Sequence, residues 1–296
     1  MKNLIRFDWA LKRLLRNKAN FVVLEGFLSE LLKINIIISE IIDSESNSQT
    51  SDDKFNRVDI IAKTNNKEII IVELQINSEL DYFHRMLFGA SKSLIEHIKL
   101  REKYKSLYKI YSVNIVYFEL GQGKDYVYHG TTDFLGIHNG DKLELTQKQK
   151  QGLSIQKICE IFPEYYVLKV NEFNQVAKDN LDEWIYFLKN NEIPDNFRAK
   201  GLKEAKEVLD EDKMSKGDKN LYKEHLENLR YTDSMIWSSK IEGRLEGMFE
   251  GEKKGKIEGK IESKLEIAKN LINAGVELDI IIKSTGLSKN EIEKIK

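Results

Sequence analysis

Two acidic residues interrupt strongly apolar stretches of this chain. Asp59 lies in Arg57-Val58-Asp59-Ile60-Ile61-Ala62, and Glu73 in Glu68-Ile69-Ile70-Ile71-Val72-Glu73-Leu74-Gln75. A carboxylate among Val, Ile and Leu is costly unless a cation or a hydrogen-bond donor meets it. Gln75 follows Glu73 by two residues, so in a strand the two side chains share a face. Two carboxylates, a side-chain carbonyl and water are the oxygen donors that Mg²⁺ or Mn²⁺ prefers. Beside a phosphodiester, such an ion binds the scissile phosphate, lowers the pKa of an attacking water and stabilises the developing charge. The same residues also fit a second description, edge carboxylates bridged to lysines or helix N-termini with no metal.

Which description holds depends on strand register. Thr64-Asn65-Asn66-Lys67 joins the two strands with asparagines that tolerate positive φ. If Asn65 and Asn66 alone form the turn, Asp59 opposes Val72 and faces away from Glu73. If Asn65, Asn66 and Lys67 form it, Thr64 pairs with Glu68 and Asp59 stands opposite Glu73. A shared site requires an odd-length turn or a bulge, and one of these is expected. Apolar residues occupy both parities of both strands, so the hairpin is expected to be covered on both faces, as in an α/β sandwich.

The elements around the hairpin are legible from periodicity. Leu4, Phe7, Leu11, Leu14 and Leu15 predict a helix over Leu4 to Arg16, and Phe21, Leu24, Phe27, Leu28, Leu31 and Leu32 a second over Asn20 to Lys33. Ile36-Ile37-Ile38 reads as strand, and Ser44 to Asp53 as a polar loop. A helix over Leu80 to Leu100, a strand over Ile110 to Phe118 and an edge segment around Tyr126 to Phe134 follow. The stretch after 136 mixes a short strand, Tyr165 to Val170, with helices, and holds both prolines, Pro163 and Pro194, at expected boundaries.

From Glu242 the pattern changes, with a glycine at every fourth position from Gly243 to Gly259 among Glu and Lys. Each costs roughly 1 kcal/mol of helix propensity relative to Ala. This segment reads as an exposed helix for self-association or a connector, or as a low-complexity linker. The charges between the glycines exclude a lipid-buried helix pair. The last residues predict a small helix-turn-helix-like unit, with Ser288 capping the final helix and Glu291 placed for a capping box. Lys289 and Asn290 are suited to reading bases, Glu291 and Glu293 are not, and an interaction module is expected there.

Composition narrows the classes. The 47 Lys and Arg against 48 Asp and Glu argue against a protein held to DNA by bulk charge, but not against an enzyme whose basic groups are local. A single cysteine, Cys159, excludes an internal disulfide and a cysteine zinc finger, and fits a cytoplasmic setting. No run reaches the roughly 20 apolar residues of a membrane span, and the start of the chain lacks a signal-peptide pattern.

The order of these pieces resembles the PD-(D/E)XK nuclease superfamily, and more closely the Rpn group of recombination-promoting nucleases and related transposases. The stretches that carry the resemblance are Phe7-Asp8-Trp9-Ala10-Leu11-Lys12-Arg13-Leu14-Leu15, Arg57-Val58-Asp59-Ile60, Ile71-Val72-Glu73-Leu74-Gln75 and Phe83-His84-Arg85-Met86-Leu87-Phe88-Gly89-Ala90-Ser91-Lys92, with the glutamate–glycine repeat and the ending Gly275 … Thr285-Gly286-Leu287-Ser288. It implies an α/β, restriction-endonuclease-like core, a mixed sheet flanked by helices, over 1–136, and a mixed, mainly helical extension over 137–240. A charged repeat helix or linker over 241–263 and a helical tail over 264–296 complete the helical C-terminal region. The resemblance further implies a Mg²⁺- or Mn²⁺-dependent DNA endonuclease acting in recombination, mobile-element or phage-related processes. Asp59 and Glu73 would be metal ligands, with Asp8 as an additional acid. Gln75 stands where the superfamily usually has the lysine that orients or activates water, and an amide carries no charge and does not readily take a proton. Lys12, four residues after Asp8, is the candidate to compensate, although an ordinary ion pair along the helix is the expected reading. Arg85 and Lys92, seven apart on one helix face, are candidate phosphate contacts, and His84 is not expected to act as a base. Expected partners are DNA and further copies of the chain through its C-terminal helical region, with no membrane. The alternative is a catalytically decayed relative that binds nucleic acid or protein as an oligomer.

Overall fold

The computed structural model describes residues 4–42, 59–96, 104 and 107–295. The polar loop, Arg57, Val58 and the expected last residues of the third helix, 97–100, lie outside the described residues. The chain forms helices α1 (Phe7–Arg13) and α2 (Phe21–Leu32), strands β1 (Ile38–Ile42), β2 (Ile60–Thr64) and β3 (Ile69–Gln75), helix α3 (Tyr82–Glu96), and strands β4 (Ile110–Val116) and β5 (Val127–Gly130). Helix α4 (Gln147–Leu153), strand β6 (Glu164–Lys169) and helices α5 (Asn180–Asn190), α6 (Leu202–Val208), α7 (Lys216–Asn273), α8 (Leu278–Thr285) and α9 (Lys289–Glu293) follow. The first helix is shorter than its apolar pattern predicts. Leu4 bridges to Asp210 and the Ile5 amide donates to Leu209, so the residues before Phe7 are tied to the chain after α6.

The sheet is six-stranded and mixed, in the order β1-β2-β3-β4-β6-β5. β1, β2 and β3 are antiparallel neighbours, β3, β4 and β6 run parallel, and β5 closes the far edge antiparallel to β6. β6 comes from the stretch after 136, so the sheet is completed by residues beyond the expected core, inserted between β4 and β5. The chain divides into two compact units, residues 1–220 and 221–296.

Both faces of the central strands are covered, as the mixed parity of apolar residues predicts: β3 is buried at Ile69 through Leu74. On one face Ile61, Ile69 and Ile71 pack with Ala90 of α3. Elsewhere in the same unit, Phe7 of α1, Phe27 of α2, and Trp184 and Phe187 of α5 form an edge-on aromatic cluster. The α2–α6 approach depends on Gly26, where a Cβ would stand 2.3 Å from the Lys200 carbonyl oxygen, the group that accepts from Trp184 Nε1. Any larger residue pushes these elements apart.

In the second unit α7 is helical through the glycine repeat, where a Cβ on any of the five glycines would meet open space. Ala268, Ile281, Leu287 and Ile292 make a small core joining the end of α7 to α8 and α9. Ser288 and Glu291 form the expected capping box.

Candidate active site

The turn between β2 and β3 decides the geometry. Lys67 donates to the Thr64 carbonyl at 3.0 Å and Thr64 to that of Glu68 at 2.9 Å, with Lys67 at φ 65°. Three residues therefore form the turn, and the left-handed third residue absorbs the extra length. Ile60 pairs with Val72 and Ile61 with Ile71. One step further along the same register, Asp59 stands opposite Glu73. Ile61 and Ile71 pack toward α3, so this parity directs Asp59, Glu73 and Gln75 to the face that α3 covers.

Glu73 is 3 % exposed, and its Oε1 is sealed from solvent. The charge beside it is Arg85, on the first turns of α3, whose Nη2 ion-pairs with that oxygen. Burial pushes the Glu73 carboxyl up, Arg85 draws it down, and Asp59 raises it again, to about 7. The other guanidinium nitrogen of Arg85 donates to both oxygens of Glu79, at 2.8 and 3.2 Å. Glu79 also accepts from Gln75 Nε2 at 2.6 Å. Arg85 thus faces inward onto two carboxylates rather than outward.

Asp59 is held differently. Its Oδ2 accepts from the Leu74 amide at 2.8 Å, its Oδ1 lies 3.2 Å from Lys12 Nζ, and its carbonyl accepts from Arg16 Nη2 at 2.7 Å. Lys12 therefore reaches from α1 to Asp59, further than the expected ion pair along its own helix. Its side chain is 57 % exposed, so it can leave without opening the core. Each of the two facing carboxylates carries one cationic side chain, and the two positive charges equal those of a divalent ion.

Asp8 is buried on α1, its Oδ1 accepts from Arg6 Nε at 3.1 Å, and desolvation, then the charge of Asp8, push the half-buried Tyr117 phenol up. Among the described residues no three His, Cys, Asp or Glu side chains stand close enough to hold a metal ion, so Asp8 is not gathered with Asp59 and Glu73. Lys92 is half-buried and 3.8 Å from Glu96, and His84 is exposed.

Two parts of the site escape sequence reasoning. Glu79 sits in the turn before α3, outside any periodic pattern, and its spacing from Gln75 and Arg85 is the signal that could have found it. The floor beside Glu73 is Asn114, its register partner on β4, which accepts from Tyr82 Oη at 3.3 Å and donates to Ser112 Oγ at 3.0 Å. Burial, then the charge of Glu73, push the Tyr82 phenol far up, so it stays a donor.

A family model described as PD-(D/E)XK nuclease family transposase matches residues 5–238. The chain belongs to the PD-(D/E)XK nuclease family transposases. A second model, the Rpn/YhgA-like nuclease family C-terminal HTH domain, matches residues 262–296 and covers α8 and α9. No curated protein and no solved structure matches the chain. The mixed sheet flanked by helices agrees with the PD-(D/E)XK nuclease fold, and the family match runs through β6 and α5 as the sheet order requires. Among the described residues no helix is long and apolar enough to cross a membrane.

Proposed function

We propose that this PD-(D/E)XK family member is a divalent-metal-dependent DNA endonuclease, with Asp59 and Glu73 as metal ligands. The observation that carries the reading is the three-residue turn, which sets these carboxylates opposite each other at the end of β3. The donor set fits a hard cation: Asp59, Glu73 and the Gln75 carbonyl are all oxygen donors, and the buried Glu73 Oε1 is already met by a cationic group, Arg85. Mg²⁺ or Mn²⁺ bound there would supply Lewis acidity to the scissile phosphate and a more acidic attacking water.

The chain's own groups do the rest. Asp59 is fixed for its role by the Leu74 amide, which holds one oxygen and leaves the other turned to Lys12. Gln75 orients water through its amide once it releases Glu79, and it accepts no proton at neutral pH. Lys12 supplies mobile positive charge near the phosphate, and Lys92 and the C-terminal helix-turn-helix unit extend the DNA contact. The Glu291 carboxylate is occupied by Ser288 at 2.6 Å, and at the start of α9 the exposed Asn290 and Lys289, the latter 4.0 Å from Glu293, are the side chains offered to DNA. Exposed Tyr231, Trp237, Leu245, Met248 and Phe249 on α7 support assembly with a second copy through this helix.

Supercoiled plasmid tests the reading: the purified chain nicks or linearises it with Mg²⁺ or Mn²⁺ and leaves it intact in chelator. Plasmid left intact under both conditions sinks it. A second reading, a decayed nuclease that binds DNA without cutting, is favoured by Gln75 and by the two carboxylates already balanced by the chain's own cations. It predicts DNA retention with no metal-dependent cleavage.

A further inference from the structure

Glu73 needs a counter-charge in the metal-free chain, because a carboxylate this enclosed is not stabilised by water. Arg85 provides it through one nitrogen while the other holds Glu79. The two acceptors differ in burial. The Glu73 side chain is 4 % exposed and that of Glu79 29 %, so the guanidinium spans from the enclosed end of the site to its open mouth. A cation bound at Glu73 would stand beside a like charge, and in a partly buried site that repulsion is strong. The two compete for the same carboxylate oxygen.

We propose that Arg85 occupies the cation position of Glu73 in the metal-free chain. It must withdraw from Glu73 when a divalent ion binds, and it then presents its guanidinium to the DNA phosphate from its anchor on Glu79. The inference rests on the nuclease reading and adds the source of the positive charge that Gln75 cannot bring to that site. An arginine suits the exchange, since its planar fork grips carboxylate and phosphate alike while a second carboxylate keeps it from drifting into solvent. Gln75 is coupled to the movement, because its amide shares Glu79 with Arg85.

The exchange predicts opposite effects on binding and cleavage. Titration calorimetry of the full chain with Mn²⁺ alone compares wild type with Arg85→Gln, and the same preparations are assayed on plasmid. Removing the competing charge tightens Mn²⁺ binding by roughly tenfold or more, while cleavage falls by at least about tenfold. Arg85→Lys keeps a positive charge but cannot bridge Glu73 and Glu79 in the same way. It binds Mn²⁺ with an affinity between the other two, and it keeps the comparison available if Arg85→Gln does not fold. If Arg85 were only a structural clamp, its removal would weaken metal binding and cleavage together. Mn²⁺ binding that is unchanged or weaker in both variants overturns the exchange, whatever the plasmid shows. Tighter binding in the variants with no cleavage by wild type overturns the nuclease reading instead and leaves Arg85 as the resting cation of Glu73.

Discussion

A buried glutamate whose pKa has risen to about 7 stores a pH dependence that the free chain can reveal. Its ordinary value is 4.5, so between the two values folded Glu73 holds a proton that the unfolded chain has lost. The folded state then binds more protons than the unfolded state, and stability falls as pH rises through this window. The loss is on the order of 3 kcal/mol, with the opposing pull of Arg85 already contained in the value of about 7. Thermal melts of the metal-free chain therefore decline from about pH 5 to about pH 8 on this account, and Glu73→Gln flattens the decline. An equal slope in the variant contradicts the assignment. At this scale the sequence shows the acids better than it shows their partners. Asp59 and Glu73 stand out because charge among Val and Ile is costly. The inward turn of Arg85 depends on Glu79, a loop residue with no period, and the hold of Arg6 on Asp8 comes from a side chain just outside α1.

The turn between β2 and β3 does its work at the scale of elements. One residue more or less would exchange the faces of β2, move Ile61 out of its contact with Ala90 and part Asp59 from Glu73. Lys67 takes the left-handed conformation there without being glycine. Lys67→Gly should be neutral or gain up to about 1 kcal/mol, and Lys67→Val should lose about 1–2 kcal/mol, both read by denaturant melts. This turn was open to reasoning from sequence because parity leaves two alternatives and one of them assembles the acids. The place of β6 was not open in the same way. Its apolar residues mark a strand, but insertion between β4 and β5 follows from pairing with β4, more than fifty positions earlier in the chain, which no local pattern encodes. In the second unit the capping box follows directly from Ser288 and Glu291. Ser288→Ala should cost about 1 kcal/mol of local stability, seen as faster amide exchange in α9.

For the molecule as a whole, near-equal numbers of acids and bases describe regions with different roles. In the first unit a few charges are enclosed with specific partners. On α7 they alternate along an exposed helix that also carries large apolar side chains. Light scattering of the full chain should show an assembly larger than a monomer, reduced by Leu245→Lys with Met248→Lys; a monomeric wild type at tens of micromolar contradicts self-association through α7. The proposed cleavage rests on the facing carboxylates of the first unit. Plasmid cleavage with Mg²⁺, run with wild type and with Asp59→Ala combined with Glu73→Ala after both are shown to be folded, tests it most directly. The wild type should cut and the double variant should show at least roughly a thousandfold less cleavage, the scale of losing metal and charge stabilisation together. Equal cleavage by the two proteins would contradict the account.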